Sequence, residues 1–166
     1  LLVLVDEAHG AHFPFHREMP ISAMEAGADM SCVSLHKTGG SLTQSSALLL
    51  RERVLSKDRV KTILNLTQTT SASYLLMLSL DAARKQLATS GQKMMQSILE
   101  YIAELRNKMK EIPQYTLFSE KMIGQEGIFD FDPFKVGIHL SNIKISGLEL
   151  YDLLRDRYGI QLEFGD

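Results

Sequence analysis

The stretch Leu1-Leu2-Val3-Leu4-Val5-Asp6-Glu7-Ala8-His9 decides the fold class of this chain. A continuous aliphatic run ends abruptly at charged and small residues, which is the pattern of a strand buried on both faces of a parallel sheet. Ligands of such α/β sheets bind beyond the carboxyl ends of the strands. We therefore expect Asp6 and His9 to lie at the functional edge of an α/β domain.

Further elements follow from hydrophobic spacing and capping residues. Residues 29–34 and 45–50 read as apolar strands. From residue 73 to about 112 apolar side chains recur at helical spacing, which predicts one long helix, capped by Thr70 or Ser71 and kinked or broken near Thr89-Ser90-Gly91. The remaining predictions are a short helix over 20–28, strands over 115–118, 136–140 and 159–163, and a helix over 146–158 with a capping box.

The totals limit the kinds of partner. The chain has 166 residues, 45% of them apolar, and a net charge of -2. The apolar fraction is sufficient for a hydrophobic core. Neither sign of charge forms a long block, so the sequence predicts no basic surface for binding nucleic acid. No apolar run approaches the roughly 20 residues that cross a bilayer, and we expect a cytoplasmic protein without membrane contact. The single cysteine, Cys32, fits a reducing compartment and reads as a buried strand residue.

Asp6 and His9 suit one cofactor, pyridoxal 5'-phosphate (PLP). A carboxylate keeps a nearby pyridine nitrogen protonated, and the protonated ring accepts the electron pair left when a bond to a substrate α carbon breaks. His9 is placed to reach the oxygen on the ring, and Ala8 is small enough to lie flat against it. These residues predict the ring-binding part of a PLP site.

Lys37 supplies the amine that this cofactor needs. It follows the predicted strand 29–34 directly and leads into a glycine-rich loop, so its side chain emerges at the same edge of the sheet. A partly desolvated lysine becomes nucleophilic, which Schiff-base formation with the cofactor aldehyde requires. Ser34 and His36 flank it and offer donors to the phosphate.

Taken in order, the motifs resemble those of one family. The chain is similar to the bacterial ornithine/lysine/arginine decarboxylases, which have the aspartate aminotransferase fold, fold type I of the PLP enzymes. The similar stretches are Asp6-Glu7-Ala8-His9-Gly10-Ala11-His12, Ser34-Leu35-His36-Lys37-Thr38, Leu42-Thr43-Gln44-Ser45, Gln68-Thr69-Thr70-Ser71-Ala72-Ser73-Tyr74, Asp132-Pro133 with Lys135, and Tyr158-Gly159-Ile160-Gln161-Leu162-Glu163.

The resemblance implies PLP-dependent removal of the α-carboxylate from arginine, lysine or ornithine, in polyamine metabolism or acid resistance. It implies that Lys37 forms the Schiff base, that Asp6 pairs with the pyridine nitrogen and that Ala8 packs on the ring. It also implies that Ser34 and His36 hold the phosphate. His9 stands at a position where some relatives carry an aromatic residue.

The family's active sites lie at a dimer interface, which implies a homodimer or a multiple of dimers. Thr69 or Thr70 then lends a hydroxyl to the phosphate of the neighbouring subunit. Ala72 departs from the proline often found in that loop.

The resemblance also divides the chain. Residues 1–112 correspond to the C-terminal part of the PLP-binding large domain, with a mostly parallel sheet and a long connecting helix, and residues 113–166 to the start of a small α+β domain. The family's phosphate-binding turn lies upstream of such a stretch. We therefore expect a piece of a longer lyase that is inactive alone.

Other readings use the same residues. An aminotransferase or an α-oxoamine synthase of the same fold also needs Asp6 and Lys37, and a degenerate homologue could act as a regulatory subunit. Asp6-Glu7-Ala8-His9 also matches the metal-binding motif of helicase-like NTPases, which leaves Lys37 unexplained. A metal site of His9, His12, His16 and Glu18 is disfavoured because Pro14 breaks the helix that would align them, so no metal is predicted.

Overall fold

The computed structural model describes residues 1–141, 144–163 and 165, and it divides into two compact units, Leu1–Ser97 and Ile98–Asp166. Each unit is described by itself. The division falls within the long helix, whereas the predicted boundary lies between residues 112 and 113. The assignment of residues 1–112 and 113–166 to two domains stays a prediction.

The first unit contains a three-stranded sheet. Its strands are β1 (Leu4–Asp6), β2 (Met30–Ser34) and β3 (Ser46–Leu50), in that order across the sheet. β1 pairs with β2 in parallel, and β2 pairs with β3 antiparallel. The strands predicted over 29–34 and 45–50 are thus confirmed. With one parallel and one antiparallel pairing described, the mostly parallel sheet of fold type I stays a prediction.

The two faces of this sheet differ in burial. On one face, Val33 of β2 forms a buried core with Ala11 and Leu35, and Ala47 and Leu80 pack against this core. The other face is open, although it carries apolar side chains.

The open face corrects two predictions. Leu4 of β1 is 56% exposed, so the strand is not buried on both faces. Cys32 is also exposed, not buried. It pairs with Asp6 and with Leu48 across the sheet, and side chains of paired residues share a face. No element among the described residues covers this face.

Asp29 holds the start of the sheet together from a buried position. Its carboxylate accepts a hydrogen bond from the Val3 backbone N–H at 3.0 Å and pairs with the Arg53 guanidinium at 2.9 Å. The Val3 N–H, followed by the Arg53 guanidinium, lowers the pKa of the Asp29 carboxyl below its usual value. One side chain therefore ties the chain before β1 to the segment that follows β3.

The helix predicted over 20–28 is wrong, because this segment forms only turns. Its backbone groups find partners outside a helix: the Ala23 N–H donates to Glu7, and the Met24 carbonyl accepts from Arg51. Gly27, with φ 99°, then reverses the chain toward β2.

Three helices begin in the first unit. A short helix, α1 (Leu35–Thr38), follows β2 directly, and α2 (Lys57–Thr67) and α3 (Tyr74–Met109) follow β3. α2 was not predicted, although Ser56 caps it by accepting from the Arg59 N–H. α3 opens on Ser73, whose hydroxyl accepts from the Leu76 N–H, and not on Thr70 or Ser71.

α3 confirms the predicted long helix but not the predicted break. It runs without interruption through Gly91, which lies against a short 3₁₀ turn, Phe13–Phe15. A Cβ at Gly91 would stand 3.1 Å from the Phe15 Cβ. The glycine therefore serves close packing of the turn on the helix.

The second unit carries a small sheet and a helix. β4 (Tyr115–Leu117) pairs antiparallel with β5 (Ile138–Leu140), and α4 (Gly147–Tyr158) follows. The predicted capping box is confirmed, because Ser146 and Glu149 exchange side chain–backbone hydrogen bonds. Gly159, with φ 64°, closes α4, and the described residues of 159–163 form no strand, so that prediction is wrong. In the part of the chain that the structure describes, no helix has the length and apolarity to cross a bilayer.

Candidate active site

Two predicted motifs meet where β1 and β2 end. The strands run parallel, so their carboxyl ends, Asp6 and Ser34, lie at the same edge of the sheet. The Ser34 N–H donates to the Ala8 carbonyl at 3.3 Å, which joins the segment after β1 to the end of β2. Asp6 is exposed, and one of its carboxylate oxygens accepts from the Ala8 N–H at 3.1 Å.

Lys37 and His9 form the central contact of this edge. Lys37 Nζ lies 3.3 Å from His9 Nε2, and both side chains are exposed. Thr38 holds the same loop, because its hydroxyl donates to the His9 carbonyl at 3.2 Å. α1 therefore contacts the histidine loop, the segment after β1 that carries Ala8 and His9, through both the Lys37 amine and the Thr38 hydroxyl.

His36 is fixed by Ser45, the residue just before β3. Its Nδ1 lies 2.9 Å from the Ser45 carbonyl, which also accepts the His36 backbone N–H at 3.2 Å. A carbonyl only accepts, so Nδ1 carries the proton in this bond. The other ring nitrogen, Nε2, then points away from this carbonyl.

Glu7 is a site residue that the sequence reasoning missed. Its two carboxylate oxygens accept from the Ala23 N–H at 2.9 Å and from the Ser31 hydroxyl at 3.0 Å. Gly10 leaves the space for it, since a Cβ there would lie 2.4 Å from the Glu7 Cγ. Glu7 therefore anchors the loop that carries Ala8 and His9. The one sequence signal for this role is Gly10, which leaves room for the Glu7 side chain.

His16 follows the 3₁₀ turn Phe13–Phe15 in the first unit and anchors the segment after this turn. Its Nε2 lies 3.2 Å from Gln96 Oε1 on α3, and its Nδ1 accepts from the Glu18 N–H at 3.2 Å. Among the described residues, no three side chains of the metal-ligating types form a group that could hold an ion.

Among the described residues, no hydrogen bond joins Thr69 or Thr70 to the other predicted site residues. Both threonines belong to the exposed segment between α2 and α3, where the Thr69 hydroxyl accepts from the Ser71 N–H at 3.2 Å. The structure thus brings together Ala8, His9, Ser34 and Lys37, with Asp6 and His36 beside them, and leaves the two threonines outside that group.

The donor set at this edge fits PLP. A carboxylate (Asp6), an amine (Lys37), imidazoles (His9 and His36) and a small residue (Ala8) are the groups that a charged ring with an aldehyde and a phosphate requires. The exposure of Lys37 and Asp6 leaves both within reach of a ligand.

The fold and the site define an α/β domain with a lysine–imidazole pair at the carboxyl edge of its parallel strands. The family model described as Orn/Lys/Arg decarboxylase, major domain, matches residues 1–144. The chain belongs to this family.

Curated relatives agree with this assignment over nearly the whole chain. It is 44% identical to the arginine decarboxylase of Bacillus subtilis (strain 168) and 45% identical to that of Halalkalibacterium halodurans, in both cases over 99% of this chain. An arginine decarboxylase of Bacillus anthracis is 42% identical. The chain spans about a third of the length of these relatives, 34%, 33% and 33% respectively.

Proposed function

We propose that the intact protein is a PLP-dependent decarboxylase of a basic amino acid, with arginine as the first substrate to test and lysine and ornithine as the others. The observation that carries the proposal is the 3.3 Å contact between Lys37 Nζ and His9 Nε2 at the edge where Asp6 ends β1. The family and the names of the relatives support the reaction type. The product amine would enter polyamine metabolism.

When bound, PLP supplies an electron sink for the pair released as the α-carboxylate leaves. Asp6 would hold the pyridine nitrogen in its protonated form by charge. Ala8 would pack on the ring without colliding with it, and Ser34 and His36 would hold the phosphate. Lys37 would bind the cofactor aldehyde covalently.

His9 and Lys37 would manage the protons. When Lys37 Nζ donates to His9 Nε2, the proton of the neutral imidazole sits on Nδ1, so the pair fixes the tautomer of the ring. A neutral imidazole can accept a proton and return it to an amine beside it. His9 is therefore the residue proposed to hold the proton that Lys37 gives up.

The assembly is part of the proposal. We propose a homodimer or a multiple of dimers, located in the cytoplasm, in which Thr69 or Thr70 reaches the phosphate of the neighbouring subunit. This arrangement is in keeping with the exposure of the two threonines in the single chain. Because the chain spans about a third of its relatives' length, we expect these 166 residues alone to be inactive.

The test uses the intact protein loaded with PLP. We expect Lys37→Ala to abolish both the absorption band of the covalently bound cofactor and carbon dioxide release from arginine, lysine and ornithine. Lys61→Ala, which removes an exposed lysine of α2, is the matched control and should change neither. An unchanged absorption band in Lys37→Ala would refute the assignment of Lys37.

A further inference from the structure

The Ser45 carbonyl takes up both N–H groups of neutral His36. It accepts the His36 backbone N–H at 3.2 Å, and it lies 2.9 Å from the ring nitrogen Nδ1, which donates to it. A neutral imidazole carries one ring proton, and in His36 this proton is on Nδ1. The neutral residue therefore has no further donor, and its other ring nitrogen, Nε2, offers a ligand only a lone pair.

The local structure keeps the ring in this orientation. His36 belongs to α1, and β3, which packs against α1, begins directly after Ser45. Turning the ring over would bring a carbon atom to the Ser45 carbonyl in place of Nδ1 and would lose the hydrogen bond. The bond to Ser45 thus leaves Nε2 as the ring nitrogen for a ligand.

A phosphate dianion needs the donor that neutral His36 lacks. Its oxygens carry lone pairs and no proton, so they accept hydrogen bonds. A neutral Nε2 that faced such an oxygen would place two lone pairs opposite each other. The Ser34 hydroxyl, by contrast, can turn its own proton toward a phosphate oxygen. Of these two residues, only His36 needs an added proton to donate to the phosphate.

We propose that His36 takes up a proton at Nε2 when the phosphate binds and holds it as an imidazolium, with Ser45 as the positioning residue that creates this requirement. The inference rests on the proposed function, because His36 is there proposed to hold the phosphate of PLP. The contact formed is a charge-assisted hydrogen bond from Nε2–H to a phosphate oxygen, and the proton comes from the solvent.

The test must separate His36 from the other titratable groups of this edge. Asp6, His9 and Lys37 lie there, with the Lys37 amine 3.3 Å from the His9 ring, whereas β3 carries no titratable side chain. Pyridoxine 5'-phosphate has the ring and the phosphate of PLP but lacks the aldehyde, so it does not react with Lys37. This compound is therefore the probe, and the comparison is made between variants of His36.

Titration calorimetry of the intact protein without PLP, in buffers of different ionisation enthalpy, counts the protons taken up with the probe. The pH is about 7.5, where the phosphate of the free probe is mostly dianionic. His36→Asn keeps a donor for the Ser45 carbonyl but has no atom in place of Nε2, and His36→Gln carries a neutral amide donor near that position. His139→Gln, which removes an exposed histidine of β5, is the matched control.

We expect the wild type and His139→Gln to take up about 0.5 to 1 proton more than either His36 variant. The affinity of the wild type for the probe should also fall with rising pH, relative to His36→Gln, by up to about tenfold per pH unit. Phosphorus NMR of the bound probe should show the dianion, which assigns the added proton to the imidazole.

The outcomes distinguish this inference from the proposed function. Equal proton uptake in the wild type and His36→Gln, or a bound phosphate monoanion, overturns the inference while the PLP proposal stands. If PLP gives no absorption band that depends on Lys37, the proposed function fails, and this inference fails with it.

Discussion

Lys37 and His9 come from segments 28 residues apart, yet their nitrogens lie 3.3 Å from each other. The sequence predicted both residues, because each follows an apolar strand and parallel strands end at one edge. It could not predict the contact, which depends on the Thr38 hydroxyl holding the His9 carbonyl. Nor did it predict the role of Glu7, which accepts hydrogen bonds from a backbone N–H and a hydroxyl. A pattern of residue types does not reveal such partners.

Glu7 offers a test of how the histidine loop is held. Glu7→Ala leaves the Ala23 N–H and the Ser31 hydroxyl without their acceptor, so we expect it to lower the free energy of unfolding by about 1 to 3 kcal/mol in urea titrations. Glu7→Gln should lose less, since its amide oxygen can accept from Ala23 while its NH₂ donates to Ser31. The exposed Glu18→Ala serves as the control. Equal losses in Glu7→Ala and Glu18→Ala would show that Glu7 has no anchoring role.

The lowered pKa of Asp29 makes the free energy of unfolding depend on pH. Its folded-state pKa is lowered, so its contribution is present above the unfolded pKa of about 3.9 and is lost as the pH falls through the lower folded value. We expect Asp29→Asn to be less stable than the wild type at pH 7, and this difference to shrink below about pH 4. Urea titrations from neutral to acid pH measure this. Asp81→Asn, in an exposed pair with Arg84, should track the wild type, and a pH-independent deficit in Asp29→Asn would contradict the proposed cause.

At the scale of elements, periodicity located α3 and the capping box of α4, because both signals are local to the chain. It failed over 20–28, where the local hydrogen bonds form turns that are not continued into a helix. The Ala26 N–H donates to the Ser22 carbonyl and the Ala28 N–H to the Ala23 carbonyl, while Glu7 and Arg51 bond to the segment from outside it. α2 was not predicted, although the capping residue Ser56 and the helical spacing of Val60, Ile63 and Leu64 are both present in the sequence.

Gly91 gives a prediction at this scale. Alanine favours a helix over glycine by up to about 1 kcal/mol, but a Cβ here stands 3.1 Å from the Phe15 Cβ. We therefore expect Gly91→Ala to raise the free energy of unfolding more in a Phe15→Gly background, which lacks this Cβ, than in the wild type. A double-mutant cycle by urea unfolding measures the coupling. Additive effects would show that the packing of Phe15 does not select the glycine.

At the scale of the molecule, the aliphatic run before Asp6 predicted a strand covered on both faces, yet the residues that the structure describes cover only one face of the sheet. The chain spans about a third of the length of its curated relatives. Whether a sheet face is buried depends on residues distant in sequence, which the local hydrophobic pattern does not reveal. The proposed dimer belongs to this scale as well.

Mixed dimers of the intact protein test whether the threonines act across subunits. Lys37→Ala and the double variant Thr69→Ala, Thr70→Ala should each have little activity as homodimers. If the hydroxyls serve the neighbouring subunit, a mixed dimer carries both lesions in one site and none in the other, and we expect about half of the wild-type activity. Dimers prepared by the same mixing procedure from wild-type subunits alone are the control. No recovery in the mixed species would place the threonines in the site of their own subunit.

The sulfur of Cys32 gives the open face of the sheet a chemical handle. It is exposed, and it stands beside Asp6 across the pairing of β1 and β2. A maleimide dye attached there would sit next to the proposed pyridine-binding carboxylate without any change to the sequence. Its reaction rate, with and without ligand, would report in real time on how far that space is filled.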